Sequence, residues 1–149
     1  MEKYVTSLEL SMRLDKLIKN KKDTMFYWVN WIREHEGAQE FTYLKSEYRI
    51  VDRHTVELYE TERGICGSII CERGLHVYKA YLTDELLERL PDSLESNDGE
   101  EYYLKISKFG EDFTVVYSLF YDTLKSCMAK SLPEALGLML EYLLVNNLI

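Results

Sequence analysis

S-L-P-E-A-L-G-L-M-L-E-Y-L-L-V-N-N-L-I, residues 131–149, is the most apolar run in the chain and decides its fold. Ser131 followed by Glu134 fits a capping box. The serine hydroxyl accepts from a free N–H of the first turn, and the glutamate reaches back to the cap N–H. Pro133 falls in the first turn, where a missing N–H is no loss. Leu132, Ala135, Leu136, Met139, Leu140 and Leu143 recur at the spacing of one helical face. Glu134, Gly137 and Glu141 fall on the other side together with Leu138 and Val145. A helix this apolar around its girth is expected to be buried by more than one partner. Two glutamates and roughly four turns make it too short and too charged for a membrane span. Asn146-Asn147 is the expected stop, with Leu148 and Ile149 folding back onto the core.

The start of the chain carries a similar signal. Thr6 with Glu9 predicts a cap and a helix running to about residue 20, with Leu10, Leu14, Leu17 and Ile18 as its buried stripe. Lys19, Lys21 and Lys22 suit its negative C-terminal end. Thr83 is expected to cap a short helix, D-E-L-L-E-R-L, closed by Pro91, with Leu82, Leu86, Leu87 and Leu90 inward.

Between these helices the periodicity changes from helical to alternating. M-F-Y-W-V-N-W-I-R, residues 25–33, is aromatic and β-branched throughout. Phe26, Trp28 and Ile32 point one way, and Met25, Tyr27, Val29 and Trp31 the other. Both faces are apolar, so the strand is either covered twice or exposes an aromatic patch. Gly37 turns the chain, and residues 40–45 are expected to return as its hairpin partner. Residues 49–51, 55–61, 65–71 and 75–80 look like short strands punctuated by Gly64, Gly67 and Gly74. Residues 92–100, D-S-L-E-S-N-D-G-E, have loop composition. A second hairpin follows, with Tyr102, Leu104 and Ile106 alternating on one strand, a turn near Phe109-Gly110-Glu111, and Phe113, Val115 and Tyr117 on the return. Residues 121–130 form a further short strand or connector.

The fold expected is a single α+β domain spanning residues 1–149. An antiparallel β-sheet built from hairpins carries the N- and C-terminal helices on one face, with a β-rich insertion at about residues 46–79. A chain of 149 residues, 46% hydrophobic and 30% charged, is long enough to build such a core without disulfide or metal. The N-terminus M-E-K-Y-V-T has no apolar signal region, and three cysteines without an export signal point to a reduced, cytoplasmic setting.

A net charge of −8 argues against duplex nucleic acid as a partner, because phosphates repel it. The remaining uses of acidity are solubility, mimicry of nucleic acid and the recognition of basic protein surfaces. Cys66, Cys71 and His76 are spaced C-x4-C-x4-H with His54 upstream, but zinc sites are built on tighter knuckles, and no metal or cofactor is expected. No catalytic motif surrounds any cysteine. Glu57, Glu60, Glu62 and Glu72 fit an exposed strand face better than an acid/base pair. Phosphate loops and the nucleophile elbow are absent from the sequence. The chain is therefore expected not to be an enzyme. Tyr27, Trp31, Tyr43 and Tyr59 are the candidate binding residues, since aromatic rings with a polar tip serve interfaces well.

Three stretches carry a likeness: T-S-L-E-L-S-M-R-L with F-Y-W within residues 6–28, A-Y-L-T-D-E-L-L-E-R-L-P at 80–91, and the terminal helix. In these the chain resembles small hypothetical proteins encoded by phages, prophages and integrative elements of bacteria. The likeness covers about two-thirds of the chain and omits residues 46–79; the parts it covers are helix caps and apolar stripes. The family implies no catalytic residue. The family implies no known activity either; small size, acidity, twelve tyrosines, the lack of a catalytic motif and the resemblance together lead to the expectation of a non-enzymatic accessory protein in a bacterial host cell that binds and blocks a host or phage protein, such as a defence component. The alternative is a small-ligand module or sponge for a nucleotide signal, with a pocket at a subunit interface; a homodimer is compatible with either.

Overall fold

The computed structural model describes residues 4–19, 24–31, 47–53 and 77–149. In chain order the elements are α1 (Leu8–Leu17), β1 (Phe26–Trp31), β2 (Glu47–Asp52), β3 (Val77–Ala80), α2 (Thr83–Leu87), β4 (Ser93–Glu95), β5 (Glu101–Phe109), β6 (Asp112–Leu119), β7 (Asp122–Ala129) and α3 (Leu132–Val145). The class is α+β, as the sequence predicts. Among the described residues the strands form two antiparallel sheets rather than one, ordered β2-β1-β3 and β4-β5-β6-β7. In the second sheet each strand pairs with the next in sequence, whereas in the first β3 returns to pair with β1, and α2 lies between β3 and β4.

Free backbone groups at a helix start need partners, and here one partner comes from the far end of the chain. Ser7, not Thr6, caps α1, its Oγ accepting from Leu10 N at 3.2 Å. Ser131 caps α3 as expected, accepting from Glu134 N at 3.4 Å. The Glu134 carboxylate does not turn back on Ser131. It accepts from Ser7 N at 2.8 Å and Ser7 Oγ at 2.9 Å, where a negative charge also meets the positive end of α1. Thr6 is buried instead of capping. Its Oγ1 accepts from Tyr81 N at 3.2 Å and lies 2.7 Å from Ser11 Oγ.

The predicted stripe of α1 holds at Leu10, Leu14 and Ile18, all buried, but the helix ends at Leu17. On α3, Ala135, Leu136, Met139, Leu140 and Leu143 are buried against α1, α2 and the inner face of β6 and β7. Gly137 is buried too, because α1 packs over it. Arg13 binds Glu141 from α1 to α3 with two N–H donors, Nε at 2.6 Å and Nη2 at 3.2 Å. The C-terminus of α3 is a Schellman turn: Leu148 N donates to Leu143 O and Asn147 N to Leu144 O, with Asn147 at φ 54°. Leu148 and Ile149 stay nearly half exposed, so the expected return to the core does not occur.

The second helix is capped differently from the prediction. Its N-cap is Leu82, and Glu85 supplies the acceptor, taking Leu82 N at 2.9 Å. The same carboxylate accepts from Thr24 Oγ1 and from Met25 N, which anchors the start of β1 to α2. α2 ends at Leu87, before Pro91, with Leu86 and Leu90 buried.

β1 is a central strand. It pairs with β2 in the register Phe26↔Asp52 to Trp31↔Glu47, and on its other edge with β3 from Phe26↔Ala80 to Val29↔Val77. These partners come from both ends of the predicted insertion; residues 40–45, predicted to be its hairpin partner, lie outside the described residues together with 54–76. Trp28, Ala80 and Val5 form a small core with Phe26, Ile50 and Tyr78, and Trp28 Nε1 donates to Thr6 O at 3.0 Å. In the larger sheet, Ser93–Glu95 pairs with β5, so part of the predicted 92–100 loop is a strand. β5 and β6 form the expected hairpin, and β7 is a full eight-residue strand. A bulge at Leu124 shifts the register, since Tyr117 faces Lys125 while Ser118 faces Thr123.

Candidate functional site

Of the four aromatic residues predicted to bind, two fall on β1. Tyr27 is half-buried in β1, in register with Lys79, which is 8% exposed. Trp31 ends the same strand opposite Glu47. Tyr43 and Tyr59 lie outside the described residues, as do Cys66, Cys71, His35, His54 and His76. Among the described residues no three His, Cys, Asp or Glu side chains converge to hold a metal ion. Burial raises the Cys127 thiol, opposite to the shift that would activate it as a nucleophile.

An open groove of about 890 Å³ lies where the starts of α1 and α3 meet the β5–β6 turn. Tyr4, Leu8, Phe113 and Pro133 line it, with Glu111, Lys130 and Glu134 at its polar positions. Lys130 Nζ is held by Asp112 Oδ1 at 2.9 Å, and Glu134 is committed to Ser7. Its polar groups are thus engaged within the protein.

The opposite end of the four-stranded sheet is different. β6 and β7 are joined by a two-residue turn, Phe120 and Tyr121, closed by the Leu119↔Asp122 pair. Phe120 is 87% exposed and Tyr121 104% exposed, so neither ring packs on the described residues. Phe120 also stands at φ 48°, in the left-handed region that short hairpin turns normally fill with glycine or asparagine. The β5–β6 turn makes the contrast. There the left-handed position, φ 61°, is held by Gly110. This chain uses glycine where a turn is all that is needed, and a phenylalanine at the other end of the same strand. Holding a bulky residue in that conformation costs about 1–3 kcal/mol.

Asp122 closes this turn, and an acidic segment adjoins it. The turn after β4 lies beside the 120–121 turn, because the start of β5 runs alongside the end of β6. Tyr102 OH donates to Asp122 Oδ2 at 2.5 Å and lies 3.4 Å from Glu100 Oε2, which ties the two turns together. The hydrogen bond to Asp122 is the main reason the Tyr102 phenol is pushed up to about 12. Glu101 accepts from Ser93 Oγ at 2.5 Å and from Tyr103 OH at 2.6 Å; these two bonds lower its pKa and keep it charged. Residues 92–103 contain Asp92, Glu95, Asp98, Glu100 and Glu101, residues 118–123 contain Asp122, and neither segment has a Lys or Arg. Glu95, Asp98, Glu100, Glu101 and Asp122 are all exposed, and none has an ion-pair partner among the described residues.

Sequence reading missed this site. F-Y-D continues the apolar alternation of β6 and contains neither Gly nor Asn, so residues 121–130 read as a further short strand with no exposed tip before it. The available signal was length: 18 residues from Asp112 to Ala129 exceed any ordinary single strand and require a turn.

Set against protein-family models, curated proteins and solved structures, the chain matches none. No helix among the described residues is long and apolar enough to cross a membrane.

Proposed function

We propose that this chain is a non-enzymatic accessory protein of a phage or other mobile element that binds a host protein and blocks it, the target being a component of host defence. The observation that supports this reading is the 120–121 turn. Two rings stand in solvent, on a backbone that disfavours the residue it carries. Rings displayed at conformational cost and packed on none of the described residues serve a second molecule. Blocking by occupancy requires no catalytic group, only a buried anchor and a rim that excludes water. The small-ligand alternative calls for a tyrosine-lined pocket with free Lys or Arg. The groove at the other end of the sheet offers Tyr4 and an already engaged Lys130, which supports that reading less.

The test is co-purification of the tagged chain from bacterial cells, followed by mass measurement of the eluted complex. One protein in fixed ratio is the expected result. A chain recovered alone whose melting temperature rises with a saturating nucleotide would overturn this reading in favour of the alternative.

A further inference from the structure

We infer that the partner presents a basic protein surface with an apolar slot, and that the 120–121 turn enters this slot as a preformed wedge; this rests on the protein-binding reading above. Three observations carry it. The two rings are the most exposed aromatics at this end of the sheet, at 87% and 104%. The backbone that presents them is closed by the Leu119↔Asp122 pair and already holds Phe120 at φ 48°, so little ordering is left for binding to impose. The carboxylates of the turn and of the adjoining segment lack cations among the described residues, and the Tyr102 hydroxyl fixes Asp122 in place before any partner arrives. An apolar centre within a rim of one charge selects the opposite charge, since a like-charged or neutral surface gains nothing from the rim and must still desolvate it.

A second copy of the chain fits less well. The groove at the far end of the sheet is apolar enough to accept two rings, but its edge carries Glu111 and Glu134, which repel an acidic tip. Duplex nucleic acid is repelled in the same way.

The experiment uses the whole chain and three variants. F120S/Y121S removes the wedge, E95K/D98K reverses part of the rim, and F109S removes an exposed ring at the opposite end as a control. Each is applied to an immobilised array of peptides in which Lys or Arg flank Leu, Met or Phe, beside arrays flanked by Asp and Glu or by Gly and Ser. Circular dichroism and melting temperature confirm that each variant is folded. The expected result is retention on the basic array alone, reduced about tenfold or more by F120S/Y121S and by E95K/D98K, unchanged by F109S, and weakened between about 50 mM and about 300 mM salt.

Equal retention on all three arrays, no retention on any, or indifference to the wedge variant overturns the inference. So does a dimer of the pure chain in sedimentation that F120S/Y121S dissolves, which would make the second copy the occupant. If the co-purified protein is still held by F120S/Y121S, this inference fails while the function reading stands. If no protein co-purifies at all, the function reading fails first.

Discussion

Gly137 of α3 lies directly beneath Leu10 of α1: a Cβ at Gly137 would meet Leu10 Cδ2 at 2.7 Å and Thr6 Cγ2 at 3.0 Å. On helix propensity alone Gly137→Ala should stabilise by about 1 kcal/mol. The contact reverses the sign, because Leu10 and Thr6 are both fully buried and have little room to give. Overpacking of this kind costs about 1–3 kcal/mol. The expected outcome is a lower urea midpoint with an unchanged slope. A higher midpoint would mean that the two helices can move apart freely.

The tie between Ser7 and Glu134 gives a milder prediction. Glu134→Ala leaves Ser7 N and Oγ to water and should cost about 1 kcal/mol, a typical value for a helix cap. Ser131→Ala removes the local cap of α3 and should cost a similar amount. Chemical denaturation of the two single variants and the double variant would show whether the caps act independently.

Tyr81 is 1% exposed, and its hydroxyl has no hydrogen-bond partner among the described residues. An unsatisfied buried hydroxyl is a cost, so Tyr81→Phe should leave stability unchanged or raise it by up to about 1 kcal/mol. A clear loss on calorimetry would reveal a buried water that the hydroxyl holds.

Alkaline pH should unfold the chain earlier than its charge alone would suggest. Tyr81 and Tyr117 are pushed up to about 12 chiefly by burial, and Tyr102 to about 12 chiefly by Asp122. In the unfolded chain a tyrosine releases its proton near pH ~10. Between about pH 10 and about pH 12 the unfolded state therefore holds fewer protons than the folded one, and stability falls as pH rises. Below that window the contribution of all three phenols is fully present. Urea midpoints measured across this range, with tyrosinate absorbance followed in parallel, should fall together with late titration of these three tyrosines.

Phe120→Gly places the favoured residue at φ 48° and should raise the melting temperature, by the equivalent of about 1 kcal/mol. The same substitution should weaken partner binding. A variant that gains in neither stability nor turn order would show that Phe120 is unstrained.

The helices were legible in the sequence because caps and apolar stripes are local signals. Ser131, Pro133 and the spacing of Ala135, Leu136, Met139 and Leu140 define α3 without reference to anything else. What Glu134 does was not legible, because its partner Ser7 is 127 positions away. The same limit applies to β1: its alternation announced a strand, but the composition of residues 40–52 gave no way to choose its partner. β4 was hidden in a segment of loop composition, where only pairing with Tyr102 and Tyr103 makes Ser93–Glu95 a strand. The aromatic tip was concealed for the opposite reason, since Phe120 and Tyr121 look like strand residues and only the closed hairpin puts them in solvent. Tyr27, Trp31, Tyr43 and Tyr59 were chosen for ring type; Phe120 and Tyr121 are distinguished by exposure, which the chain alone does not display.

The tie between Ser7 and Glu134 also sets an order of events during synthesis. Glu134, the acceptor for α1, is made 127 positions after Ser7, and Arg13 likewise waits for Glu141. α1 emerges from the ribosome well before α3, so its cap and its ion pair stay open until α3 has emerged. A chain arrested before Ser131 should therefore be open to protease along α1, and emergence of α3 should close it.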